Sequence, residues 1–309
     1  MPARLRDNAY LLLTLTALFW AGNAVIGRAV VDQIPPVALA QIRWIASFLI
    51  LLPFTWRQMR EELPLIRRHI VVLTLLALTG ITAFNTILYW SLERTTAINA
   101  TLMQSSGPLL IGLWGLLLYR EPLTRRQLAG VLISLVGVAA IVSEGDPARL
   151  LRLTLNAGDL AIIVAIAIYA LYSALLRQRP AMEPLSFLAV TIGIGAVVLL
   201  PLTAVEFMLG ARMAPLTLGS LAALAYVAVF PSILAYLFFN RGVELIGANR
   251  AGPFLQLVPL FGAVLAVVFL GERFGVHHGF GAALIIGGVL IASRKPASVN
   301  RVAADGGGG

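Results

Sequence analysis

The sequence contains no cysteine, only three histidines and few charged residues, and each shortage excludes a class of protein. Without cysteine the chain can form neither disulfides nor thiolate metal sites. His69, His277 and His278 do not make up a zinc motif, so we predict no metal site and no cofactor. Asp, Glu, Lys and Arg together make up 12% of the chain, against about 25% in soluble domains. With 59% hydrophobic residues, this composition predicts a polytopic membrane protein.

Apolar segments long enough to cross a bilayer recur along the whole chain. A spanning helix needs about 20 mostly apolar residues. Ten such segments are predicted, at 10–30, 35–54, 70–90, 97–118, 125–143, 157–177, 184–208, 217–240, 248–270 and 275–293. The connections are too short to hold a soluble domain. We therefore expect an all-α polytopic membrane protein with ten transmembrane helices. Residues 297–309 end in a run of glycines and are predicted to form a disordered tail.

The basic residues are distributed unequally between the connections, and this indicates the orientation. With the N-terminus in the cytoplasm, sixteen of the 23 Lys and Arg residues lie on the cytoplasmic side and six on the other. This bias follows the positive-inside rule and predicts both termini in the cytoplasm. The net charge of +9 is thereby explained by orientation in a lipid bilayer, and no nucleic-acid partner is predicted.

The two halves of the chain repeat each other, as 1–147 and 148–296. The aligned pairs are Pro36 with Pro184, Pro53 with Pro201, Pro108 with Pro259, Gly130 with Gly281 and Gly137 with Gly288. Each half holds five spans, an odd number, so the second copy enters the membrane from the other side. The sequence therefore predicts two inverted five-helix repeats.

The stretch NATLMQSSGPLL interrupts the fourth predicted span with Gly107 and Pro108. The ninth span carries the matching interruption, with Gly252, Pro253 and Pro259. Paired breaks in corresponding segments of two repeats are typical of a binding site near the bilayer midplane. We therefore predict that these residues are hinges beside such a site. The alternative is a pair of proline kinks that only shape helix packing.

Three stretches carry a resemblance to a known family. AYLFFNRGVELIGANRAGPFLQLVPLFGAVLAVVFLGERF and LYREPLTRRQLAGVLISLVGVAAIV resemble the two repeats of EamA-type proteins, in the drug/metabolite transporter superfamily, and QIRWIASFLILLP resembles the Arg-containing second helix of that family. The resemblance implies ten helices in inverted repeats and export of small metabolites from a bacterial cell through its inner (cytoplasmic) membrane. The chain as a whole, including ALFWAGNAVIGRAV, also resembles YddG-type aromatic amino acid exporters.

Polar and aromatic residues at helical spacing mark the side of each span that faces protein or a water-filled cavity. The predicted substrate-binding residues are Trp20, Asn23, Asn85, Tyr89, Gln104, Ser105, Tyr169, Tyr236 and Gln256. The resemblance places the cavity walls on the same six helices, the first, third, fourth, sixth, eighth and ninth. Alternatively, the amides hydrogen-bond neighbouring helices and the aromatics fill the bundle core.

The predicted function is secondary transport by alternating access, with neutral or aromatic amino acids as substrates. Aromatic rings would contact the side chain, while amides and hydroxyls would hold the charged ends. A multidrug or nucleotide-sugar-like carrier is the alternative, and an enzyme is not expected because no catalytic cluster is visible. The seven-residue glycine spacing in the fifth and tenth spans fits packing within the chain, so a monomer is favoured over a homodimer.

Arg43 is the basic residue that lies deep within a predicted span. It could reach outward or bond helix carbonyls, or it could recognise a substrate carboxylate. No acidic residue is predicted at a mid-span position, so we expect no obligatory proton coupling. Asp159 and Glu206 lie near span ends and are the two carboxylates whose depth could change that expectation.

Overall fold

The computed structural model describes residues 7–28, 33–92, 94–95, 97–270 and 275–294, and the predicted tail 297–309 lies outside them. The described residues are mostly helical, and no strand occurs among them. The α-helices are α1 (Ala9–Arg28), α2 (Pro36–Glu61), α3 (Leu63–Arg68), α4 (Ile70–Ala77), α5 (Phe84–Leu92), α6 (Ala97–Gln104), α7 (Gly107–Tyr119), α8 (Arg125–Val142), α9 (Pro147–Leu151), α10 (Ala157–Leu175), α11 (Pro184–Met208), α12 (Leu218–Val227), α13 (Ala235–Ile246), α14 (Ala248–Ala251), α15 (Leu257–Leu270) and α16 (Val276–Ser293).

Shorter helical segments of other types join these helices. The first π segment, Leu78–Ala83, lies between α4 and α5, and the second π segment, Ala228–Leu234, lies between α12 and α13. The 3-10 turns are Leu176–Gln178, after α10, and Gly252–Gln256, between α14 and α15. The π segments were not predicted from the sequence.

Eight helical segments in the described part of the chain are long and apolar enough to cross a membrane. They are Pro36–Glu61, Ile70–Ser91, Asn99–Tyr119, Arg125–Val142, Ala157–Gln178, Pro184–Met208, Leu218–Ile246 and Val276–Ser293. They coincide with the second to eighth and the tenth predicted segments, so the helical membrane fold is confirmed. The first segment contains a shorter apolar helix, Ala9–Asn23, and the ninth is divided, with 14 residues in α15. The count of ten transmembrane helices stays a prediction.

Side chains near the span ends hold helix N-termini, where backbone amides lack intrahelical partners. Thr124 and Gln127 form a reciprocal capping box at the start of α8. No side chain of its own segment caps α2; instead the carboxylate of Glu206, on α11, accepts hydrogen bonds from the amides of Val37 (2.9 Å) and Ala38 (2.8 Å). Because a carboxylate interacts favourably with a helix N-terminus, Glu206 stabilises the contact between α2 and α11.

The spans pack in a regular set of pairs. Helix α8 lies against α16 and α2 against α11, while α1 packs on α13 and α15, and α10 on α5 and α7. Glycines bring α8 and α16 together: a Cβ on Gly130 would lie 2.5 Å from the Gly288 carbonyl oxygen, and one on Gly137 would lie 2.7 Å from that of Gly281. The glycine stripes are therefore used for close packing within the chain.

The two predicted helix breaks lie side by side. The fourth span is interrupted between α6 and α7, and the ninth between α14 and α15. A Cβ on Gly252 would lie 3.5 Å from the Cα of Pro108, so the breaks approach each other at backbone distance. The Nε2 of Gln256 donates to the carbonyl oxygens of Ser105 (3.4 Å) and Val131 (3.3 Å), which connects the second break to the first.

Candidate functional site

Aromatic side chains from four spans converge inside the bundle and form the aromatic cluster: Trp20, Trp44, Tyr169, Tyr172 and Tyr236. Ring centroids lie 5.6 Å apart for Trp20 and Tyr169 and 5.5 Å apart for Trp44 and Tyr236, both edge-to-face. Such geometry adds about 0.5–1.5 kcal/mol per pair beyond area burial. The sequence predicted Trp20, Tyr169 and Tyr236. Tyr172 shares the helical face of Tyr169 and could have been added, whereas nothing in its spacing singled out Trp44.

Two side chains of the cluster donate hydrogen bonds to carbonyl oxygens of the π segments. The hydroxyl of Tyr236 donates to the Gly80 carbonyl oxygen (2.5 Å), and Nε1 of Trp20 donates to that of Pro231 (3.1 Å). Turns of the π type are frequent at functional sites. The buried hydroxyl of Tyr169 has no hydrogen-bond partner among the described residues.

Arg43 is buried beside the aromatic cluster, with 2% of the residue exposed, and it does not reach outward. Its Nε donates to the Ser232 hydroxyl (2.5 Å), and Nη2 donates to the Pro231 carbonyl oxygen (3.3 Å). Its Nη1 donates to the Tyr89 hydroxyl (3.0 Å) and lies 3.5 Å from Oδ1 of Asn85. Arg43 therefore joins α2 to α5 and to the second π segment. It was not among the predicted binding residues, although its mid-span position was the available signal.

The other predicted polar residues lie in two separate places. Asn85 and Tyr89 contact Arg43, as described. Ser105 and Gln256 lie at the paired helix breaks, where Gln256 is fully buried and its Oε1 has no partner among the described residues. Gln104 is half-buried at the end of α6, and the buried Oδ1 of Asn23 also lacks a described partner. The structure thus places Asn85 and Tyr89 in an arginine group, and Gln104, Ser105 and Gln256 in a helix-break group.

A cavity of about 690 Å³ lies at one end of the bundle, between α7, α10, α13 and α14. Its polar lining includes Tyr119, Glu121, Arg177, Arg179, Asn240 and Arg250. None of the nine predicted binding residues lines it. In this conformation the predicted aromatic residues contact one another, and the open space lies beyond them, at the end rich in basic residues. The hydroxyl of Tyr172 donates to Oδ1 of Asn240 (2.7 Å), so the cavity wall touches the aromatic cluster.

Two ion pairs in the cavity lining join segments that are far apart in the chain. Arg177 lies 2.8 Å from Glu121, and Arg179 lies 2.8 Å from Glu244. Arg177 and Glu121 are largely exposed, so the first pair contributes little to stability. The side chain of Arg179 is 17% exposed and is held more firmly. These pairs link the ends of α10 and α13 and the segment after α7 around the cavity.

The two carboxylates singled out for proton coupling hold helix ends. Asp159, 1% exposed, accepts hydrogen bonds from the Asn156 amide (2.9 Å), from Nδ2 of Asn99 (2.8 Å) and from the Thr95 hydroxyl at the start of α10. Glu206 caps α2. Outside the spans, the hydrogen bond from Arg149 lowers the pKa of Glu144, so that carboxyl stays ionised at neutral pH. The absence of proton coupling stays a prediction.

The chain is similar to known proteins in both sequence and fold. The model of the EamA-like transporter family matches residues 7–143 and 156–294. An uncharacterized transporter of Bacillus subtilis, YyaM, is 29% identical over 290 residues, which cover 93% of each chain. A probable terminal-alkyne amino-acid exporter of Streptantibioticus cattleyicolor is 26% identical over 231 residues, or 74% of each chain. A solved crystal structure superposes with a TM-score of 0.74 over 93% of this chain and 98% of that one; at 18% identity it shows the fold alone.

Proposed function

Because the chain belongs to the EamA-like transporter family, it is a membrane transporter, and we propose that it exports neutral and above all aromatic amino acids from a bacterial cytoplasm. The observation that carries this proposal is the aromatic cluster next to a cavity lined by both basic and acidic groups. Aromatic walls suit an apolar side chain, and groups of both signs suit a zwitterion. A relative named as a probable amino-acid exporter supports the substrate class. The likeness to YddG-type exporters remains part of the proposal.

The proposed architecture is two inverted five-helix repeats, 1–147 and 148–296, with both termini in the cytoplasm. The packing of the spans supports it, since α10 contacts α5 and α7 as α1 contacts α13 and α15. The π segments support it as well. The 151-residue spacing between Pro108 and Pro259 places the first π segment on residues 229–234, within the second.

The proposed path starts at the cavity, which lies at the cytoplasmic end because its basic residues belong to the cytoplasmic set. The solute would pass the aromatic cluster when the helix bundles rock around the paired breaks. Gly107, Pro108, Gly252, Pro253 and Pro259 are proposed as hinges. The residues proposed to hold the solute on its way are Trp20, Asn23, Asn85, Tyr89, Gln104, Ser105, Tyr169, Tyr236 and Gln256.

Counterflow in proteoliposomes tests the substrate class. Vesicles loaded with unlabelled phenylalanine should take up labelled phenylalanine, while vesicles loaded with glutamate, a quaternary ammonium drug or a nucleotide sugar should not. Tyr169→Ala removes a wall of the aromatic cluster and should reduce the exchange, whereas Tyr169→Phe keeps the ring and should leave it close to normal. Uptake driven by the drug or the nucleotide sugar, and not by any amino acid, would show that the alternative carrier class is correct.

A further inference from the structure

Arg43 is a buried cation whose described partners are all neutral. It is the eighth residue of α2, and its guanidinium contacts hydroxyl, amide and carbonyl oxygens of Ser232, Tyr89, Asn85 and Pro231. Its Cζ also lies 4.5 Å from the ring centroid of Trp44. Buried charges in proteins are normally paired with an opposite charge, because neutral dipoles replace hydration only in part. Helix packing alone therefore does not explain why a charged guanidinium is buried at this place.

The carboxylates that the structure describes are all engaged elsewhere. Ion pairs hold Asp7 (with Arg241), Glu61 (with Arg57), Glu121 (with Arg177), Glu144 (with Arg149) and Glu244 (with Arg179 and Arg241). Backbone amides hold Glu62, Asp146, Asp159, Glu183 and Glu206. None of these ten is paired with Arg43. Within the described residues, the positive charge therefore has no counter-charge of its own.

Hydrogen bonds and one contact between aromatic rings connect the surroundings of Arg43 to the cavity. Asn240, in the cavity wall, accepts a hydrogen bond from Tyr172, whose ring lies 6.0 Å from that of Tyr236. The hydroxyl of Tyr236 donates to the Gly80 carbonyl oxygen, in the first π segment. Nδ2 of Asn85 lies 3.5 Å from the same oxygen, and Oδ1 of Asn85 faces Arg43. The arginine thus lies on the far side of the aromatic cluster from the open space.

We propose that Arg43 binds the carboxylate of the transported solute, an inference that rests on the proposed function and narrows its substrate class. A guanidinium presents two parallel N–H donors that match a carboxylate. The carboxylate would replace the long contacts to Asn85 (3.5 Å) and Pro231 (3.3 Å) and provide the missing negative charge. A solute with a free carboxylate should then bind more tightly than the same solute with a neutral amide group in place of the carboxylate.

The opposing explanation is that Arg43 only fastens α2 to α5 and to the second π segment. The two explanations differ in measurable ways. A fastening residue stabilises the empty protein and affects all ligands alike. A carboxylate receptor discriminates between an acid and its amide, even where its hydrogen bonds also stabilise the empty protein.

The test measures binding of three probes to the purified full chain: phenylalanine, phenylalaninamide and 3-phenylpropionate. The wild type should bind phenylalanine about 10- to 100-fold more tightly than the amide, as expected for hydrogen bonds to a charged group. Arg43→Gln should abolish this preference and leave amide binding unchanged. Arg43→Lys keeps the positive charge but loses the two parallel N–H donors, so its preference for phenylalanine over the amide should be reduced. Arg57→Gln, a 93% exposed arginine on the same helix, is the control and should behave as wild type.

An acid-to-amide preference that survives in Arg43→Gln, or an equal loss for both probes, would overturn the proposal. If Arg43→Gln does not fold, an unchanged preference in Arg43→Lys has the same meaning. Binding of 3-phenylpropionate without binding of phenylalanine would refute the amino-acid function and retain Arg43 as the carboxylate receptor. A wild type that binds neither carboxylate refutes both.

Discussion

Substituting Gly288 by alanine tests the close packing of α8 on α16. A Cβ at this position would lie 2.4 Å from the Gly130 carbonyl oxygen and 2.2 Å from Oγ of Ser134. Relief of the backbone contact requires the helices to separate by about 1 Å, since backbone cannot rotate away as a side chain can. Overpacking of this kind costs typically 1–3 kcal/mol, occasionally more. The helix propensity gained from alanine, at most about 1 kcal/mol, offsets part of that loss.

The matched control is the neighbouring residue, Gly287. A Cβ there would meet nothing within 4 Å, so Gly287→Ala gains the propensity without the clash. The assay is the apparent melting temperature of both variants in the same detergent at one heating rate, since unfolding of such proteins is often irreversible. Gly288→Ala should melt below the wild type and Gly287→Ala at or above it. Equal melting temperatures for the two variants would mean that the glycine seam is not a tight contact.

Three further predictions concern movement, capping and orientation. Pro108→Ala and Pro259→Ala should slow transport more than they reduce folded yield, because they remove the flexible breaks; normal rates would refute the hinge role. Asp159→Asn and Glu206→Gln should each weaken a helix N-terminus, which reduces the free energy of unfolding by about 0.5–2 kcal/mol and so lowers the melting temperature. In both variants, as in the wild type, a pH gradient should drive no substrate accumulation. Accumulation in the wild type that either substitution abolishes would identify that carboxylate as a proton carrier. A reporter fused after Ser143 should lie in the periplasm, and a cytoplasmic signal would refute the topology.

The positions of the spans were predictable because bilayer insertion depends on local composition. A run of apolar residues is recognised wherever it occurs, and eight of the predicted segments appear as helices of spanning length. The glycine stripes were also visible, since seven-residue spacing keeps them on one face. Their partners were not: the repeat aligns Gly130 with Gly281, whereas in space Gly130 meets Gly288 and Gly137 meets Gly281. Positions that the repeat aligns are therefore not in contact here. The contacting glycines are known only once the two helices are packed together.

The π segments and the arginine site could not be predicted in the same way. A π turn inserts one residue into a helix. Side chains from distant spans donate to carbonyls of both π segments, Tyr236 to Gly80 and Trp20 to Pro231, and these contacts exist only in the packed bundle. The sequence identified Tyr89 and Asn85 as candidate binding residues and left the role of Arg43 open, and only the packed bundle shows that both contact its guanidinium.

Composition and periodicity were sufficient for the class of protein, most of its helices and the inward-facing polar residues, because each of these follows from how a short segment interacts with lipid. The grouping of those residues depends on helix rotation and on contacts between segments far apart in the chain. Arg43 and Ser232 are 189 residues apart, yet their side chains are hydrogen-bonded. Packing of the whole bundle brings them together. The same packing leaves an open cavity at the end rich in basic residues, while the aromatic side chains next to it contact one another.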